Sequence, residues 1–124
     1  MNLAQKVKEY INDRLTTILS MDKEGNNNIA IVNTAIMTDP TTIKIARIGT
    51  DKSYDNLKAT KKAMLVVIVP DTKGICIAVE LIKDETQGED FETMQAFVNE
   101  EYGGFRIKNL LTFNITEIKP AMVL

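Results

Sequence analysis

A chain of 124 residues, 44% hydrophobic and 26% charged, has the size and balance of one folded domain. Its 15 basic and 17 acidic residues leave a net charge of −2 and a pI near 5.2, which argues against nucleic acid as the main partner. Without histidine and with one cysteine, Cys76, it lacks a histidine-activated nucleophile, a histidine-ligated metal and an internal disulfide. No apolar run reaches the roughly 18 residues of a membrane span. Lys6, Lys8, Glu9, Asp13 and Arg14 do not suit a signal peptide, so the expectation is one domain in the cytoplasm, with no membrane partner.

Residues 2–14 place Leu3, Val7 and Ile11 at helical spacing, with charged residues between them and Asn2 as a possible N-cap. A short β-favouring run over 15–21 ends in the turn-forming stretch 22–27. Residues 29–37 form a nearly continuous apolar run, which predicts one strand buried on both faces. Asp39-Pro40 marks a turn, and residues 43–48 alternate as a strand. Residues 51–62 suggest a helix carrying Tyr54 and Leu57 on one side. Strands are predicted over 64–69, ended by Pro70, and over 75–81. Phe91, Met94, Val98 and Tyr102 mark a helix over 90–102, stopped by Gly103-Gly104. A long strand over 105–118 carries Phe105, Ile107, Leu111, Phe113 and Ile115 with Asn109 among them. The short connections favour antiparallel pairing. The expectation is a mainly β protein, a six-stranded antiparallel barrel with three peripheral helices.

Two places break the apolar pattern in a way that bears on function. Asn33 falls in the middle of the predicted buried strand, where an amide without partners costs about 1–3 kcal/mol. Either neighbouring backbone or Thr34 satisfies it, or a polar ligand lies against the strand. The second place is Arg47-Ile48-Gly49-Thr50-Asp51-Lys52-Ser53, where a strand passes through glycine into a helix. Helix N-termini present unpaired amides and attract anions. Lys52 and Ser53 add donors suited to phosphate, and Arg47 could supply a bidentate one. Equally, Asp51, Thr50 or Ser53 caps the helix, and Asp51 and Asp55 would repel an anion they faced. The remaining features read as structural: Cys76 as a small buried hydrophobe, and Glu89, Asp90 and Glu92 as an acidic first helical turn.

Over residues 15–118 the order of these segments resembles the small, single-barrel FMN-binding split barrels related to pyridoxamine 5′-phosphate oxidase. The matching stretches are 25–37 with Val32-Asn33-Thr34, then Ile48-Gly49-Thr50-Asp51-Lys52-Ser53 leading to Asn56-Leu57, then Gly74-Ile75-Cys76-Ile77, and last Gly88-Glu89-Asp90-Phe91-Glu92. The resemblance implies one FMN-binding split-barrel domain over residues 1–124. It places Asn33 and Thr34 on the flavin ring and ribityl chain, and Lys52 and Ser53 on the phosphate with Arg47 and Thr50 as helpers. Asn56 matches a structural asparagine. It also implies a homodimer with flavin near the interface, with Met122, Val123 and Leu124 over the partner's ring. The basic substrate clamp of the true oxidases has no match, so the expected activity is FMN-dependent oxidoreduction or electron transfer with an unidentified redox partner. A non-enzymatic barrel that binds another phosphorylated ligand or a protein is the alternative.

Overall fold

A computed structural model describes residues 16–49, 51–68 and 74–120. Among these lie seven strands: β1 (Thr16–Met21), β2 (Asn27–Val32), β3 (Ala35–Asp39), β4 (Thr42–Arg47), β5 (Lys62–Val67), β6 (Ile75–Glu85) and β7 (Asn109–Pro120). Two helices accompany them, α1 (Asp51–Thr60) and α2 (Glu89–Tyr102). The helix expected over 2–14 lies outside the described residues.

The strand count is seven, not six, and the difference has one cause. The run 29–37 is two strands, β2 and β3, separated by a bend at Asn33 and Thr34. Apolar continuity cannot reveal such a break, because both halves are apolar. β2 alternates between exposed and sheltered positions, and Ile29 and Ile31 are 68% and 65% exposed. Asn33 is therefore exposed at a corner rather than buried in a strand.

All six pairings are antiparallel, in the order β2-β1-β5-β6-β7-β4-β3. The two ends of this sheet, β2 and β3, are consecutive in the chain. Three residue steps, from Val32 to Ala35, span at most about 11 Å. The sheet must therefore roll until its edges meet at that corner, which makes it a split barrel.

Side chains on alternate positions fill the interior: Ile18, Met37, Ile43, Ile45, Leu65, Val67, Ile75, Ile77, Val79, Leu111 and Phe113 all pack there. Leu57 of α1 joins them. Each fully buried side chain of this size contributes roughly 1.5–3 kcal/mol. A second cluster lies outside the barrel wall, where Phe91, Met94 and Val98 of α2 cover Ala46, Ile107 and Leu110. Phe105, expected on the core face of the last strand, is exposed and precedes β7.

Both helix ends follow local chemistry. Lys61 takes a left-handed conformation after α1, with φ 64°, and its N–H donates to the Leu57 carbonyl at 2.9 Å. Gly103 does the same after α2, with φ 87°, donating to Asn99.

Two amide–hydroxyl hydrogen bonds seat α1 on the sheet. The Asn56 amide of the helix donates to Ser20 Oγ in β1 at 3.2 Å. In the opposite sense, the Asn28 amide of β2 donates to Ser53 Oγ of the helix at 2.7 Å. Asn56 is buried and its amide serves this structural seat.

Candidate functional site

Near the corner where the barrel edges meet lies a cleft of about 530 Å³, counted to open solvent. Its apolar lining includes Ile31, Val32, Ile45, Ile48 and Leu111, and its polar lining is Asn33, Thr34, Arg47, Ser53 and Tyr54. Four of the six sequence-selected residues, Asn33, Thr34, Arg47 and Ser53, therefore come together from β2–β3, β4 and the first turn of α1. Lys52 is exposed and absent from this lining. Its charge adds slightly to the lowering of the Asp22 pKa, which hydrogen bonds from Asn26 dominate. Thr50 lies outside the described residues.

Each polar group is held by partners the sequence did not announce. Thr34 is buried and its hydroxyl donates to the Ala46 carbonyl at 2.6 Å, pinning the corner to β4. The Asn33 carbonyl accepts the Tyr102 hydroxyl at 2.7 Å, so the end of α2 holds the same corner from the other side.

Arg47 ends the inward-facing row of β4 and is only 11% exposed. Its Nε donates to Asn109 Oδ1 at 2.8 Å. One terminal nitrogen reaches Asp51 Oδ1 at 2.8 Å. The guanidinium carbon lies 4.0 Å from the centroid of the Tyr54 ring. Asn109 in turn donates to Asp84 Oδ1 at 2.8 Å and to the Tyr54 hydroxyl at 3.2 Å. Tyr54 donates to the other oxygen of Asp84. That carboxylate, with burial, holds the Tyr54 hydroxyl above its ordinary pKa of 10.0.

Asp51 is not turned away from this corner. It accepts Arg47 and lies 3.7 Å from Lys108. The arginine therefore arrives oriented, with one of its donors already engaged by a carboxylate.

Asn28, Asn109, Tyr102 and Asp84 complete the site and were not selected from sequence. Asn109, a polar residue on the inward row of a long apolar strand, carried the one visible signal. The others lie 25 to 69 positions from their partners, and only the fold joins them.

No protein-family model and no curated protein matches the chain. A solved structure of an FMN-binding protein from Syntrophomonas wolfei matches it with 34% identity and a TM-score of 0.88, over 98% of this chain and 88% of that one. The chain belongs to the FMN-binding split barrels related to pyridoxamine 5′-phosphate oxidase. More distant members of this fold include a candidate pyridoxamine 5′-phosphate oxidase from Lactobacillus delbrueckii, at 18% identity and TM-score 0.72 over 90% of this chain and 91% of that one. The heme storage protein HutZ from Vibrio cholerae shares the fold at 14% identity and TM-score 0.62, over 97% and 95%. Within this split-barrel family the seam cleft is the candidate cofactor site.

Proposed function

We propose that this split barrel binds FMN non-covalently in the seam cleft and serves as a flavin-dependent oxidoreductase or electron carrier. The observation that carries the reading is the division of the cleft lining. Aliphatic side chains from β2, β4 and β7 offer a bed for a flat apolar ring. Arg47, Ser53 and the start of α1 offer donors to an anion at one end. Asn33 and Thr34 add polar groups to the lining at the corner, of the kind that a polyhydroxy chain and a ring edge require. An amphipathic ligand with a phosphate tail fits that lining, and the 34%-identical FMN-binding protein supports FMN as that ligand.

Bound flavin supplies hydride and single-electron chemistry, while the protein supplies binding and orientation. Among the described residues, the cleft lining contains no carboxylate, lysine or thiol. Its side chains therefore position the ligand and shield it from water. A heme role is less well supported, because the chain has no histidine to ligate iron. Cys76 lines a separate small pocket with Met64 and Ala78.

The family resemblance also supports a homodimer. Ile29 and Ile31 of β2 stand opposite Leu19 and Thr17 of β1, and these stand opposite Met64 and Val66 of β5. All share the outer face, and Met21 and Ile68 extend it. A contiguous apolar face of this kind is unusual on a monomer. A second copy, self-complementary about a twofold axis, covers it. Met122, Val123 and Leu124, which the resemblance sets over the partner's ring, lie outside the described residues.

Titration of FMN with the purified protein, followed by flavin fluorescence and by the two-band visible spectrum, tests the reading. Saturable quenching at micromolar protein is expected. Unquenched FMN refutes it.

A further inference from the structure

Resting on the FMN reading, we infer that Asn28 sets the polarity of the phosphate end of the cleft by acting through Ser53. Ser53 is buried, lines the cleft and lies in the first turn of α1. The nitrogen of the Asn28 amide stands 2.7 Å from Ser53 Oγ. A serine hydroxyl has one proton to give and lone pairs to receive. Because Asn28 donates to the oxygen, the Ser53 proton is left to be given elsewhere, and the cleft is the open direction. Phosphate dianion is purely an acceptor, so a hydroxyl committed to donating suits it and one committed to accepting does not.

Asn28 is thus a positioning residue that never touches the ligand. It matters for the phosphorylated flavin and is indifferent to the ring. The companion bond of α1, from Asn56 to Ser20, likewise has an amide donating to a serine oxygen, but Ser20 is not among the residues that line the cleft. Only at Ser53 does the freed hydroxyl proton belong to a residue of the cleft lining. The observed sense is the one that frees a donor at the cleft.

A double-mutant cycle with two ligands tests this. Affinities for FMN and for riboflavin, which lacks the phosphate, are measured for wild type, Asn28→Ala, Ser53→Ala and the double variant. A neutral hydrogen bond contributes on the order of 1 kcal/mol, about fivefold in affinity. Asn28→Ala is expected to weaken FMN about fivefold and leave riboflavin within about twofold. In the Ser53→Ala background the same substitution should add nothing for FMN.

Asn28→Asp preserves the shape but replaces the donor with an acceptor. It should weaken FMN more than Asn28→Ala does. Its residual effect in the Ser53→Ala background isolates plain charge repulsion.

Unchanged FMN affinity in Asn28→Ala overturns the inference. So does an equal loss for both flavins, which marks a structural role, and so does an undiminished effect without Ser53. Each of these leaves the FMN reading standing, because wild type still binds. Wild type that binds neither flavin overturns both.

Discussion

Replacing Arg47 with methionine keeps an apolar stem but removes the charge, and the structure allows the cost to be worked out. The bond from Nε to Asn109 is charge-assisted and contributes roughly 1.5–3 kcal/mol. Its loss leaves Asn109 Oδ1 without that donor in a buried residue. Loss of the stacking on Tyr54 at 4.0 Å adds roughly 0.5–1 kcal/mol. The contact with Asp51 adds little, because that carboxylate is 76% exposed and such pairs contribute about 0–1 kcal/mol. The expected loss is about 3 kcal/mol, or roughly 10 °C in melting temperature for a domain of this length. Urea unfolding of flavin-free protein measures it, with unchanged m-value as the control for a common unfolded state. Asp51→Asn should fall within about 0.5 kcal/mol of wild type. A loss below about 1 kcal/mol for Arg47→Met would refute the claim that this network fastens the mouth of the barrel. So would equal losses for the two variants.

Four further outcomes follow from named contacts. Light scattering should find the proposed homodimer at twice 13.9 kDa and Ile29→Lys as monomer, because the substitution sets a charge in the apolar outer face. Tyr102→Phe removes the hydrogen bond to the Asn33 carbonyl; amide exchange at residues 33–35 should quicken while the melting temperature stays nearly constant. Lys52→Ala should weaken FMN only two- to threefold, in keeping with a screened charge outside the lining, and a tenfold loss would place its ammonium on the phosphate. Asp22 and Asp39 are held below their ordinary 3.8 chiefly by hydrogen bonds from Asn26 and Thr41, respectively. Folding lowers both values, so their contribution is complete above pH 3.8 and drains as pH falls through the folded ones; Asp22→Asn and Asp39→Asn should each flatten acid unfolding monitored by circular dichroism.

What the sequence disclosed depends on the range of the force involved. The stop of α2 at Gly103 was legible, and so was a strand expected over 64–69, which begins two residues earlier at Lys62, because turn chemistry and β-branched runs act locally. The break at Asn33 and Thr34 was not, because it is imposed by pairing: β2 belongs to β1, β3 belongs to β4, and only the closed sheet decides which residue turns the corner. The site shows the same division. Arg47 and Ser53 stood out as donors beside a helix start. Their partners Asn109 and Asn28 lie 62 and 25 positions away, and Asn28 sits in a run of asparagines that reads as turn. Lys52, a donor beside the same helix start, is exposed and outside the cleft lining.

The meeting of β2 and β3 also governs how the molecule opens. A barrel closed by continuous hydrogen bonding comes apart strand by strand from anywhere. This one has a prepared line of weakness, and the cleft lies beside it, lined by the end of β2, the corner and β4. A ligand held between β2 and β4 would add RT ln(1 + [L]/Kd) to the work of parting them. Saturation at a hundred times Kd would add about 2.7 kcal/mol, and the gain should concentrate in the lining segments 31–34 and 45–49 rather than spread through the interior.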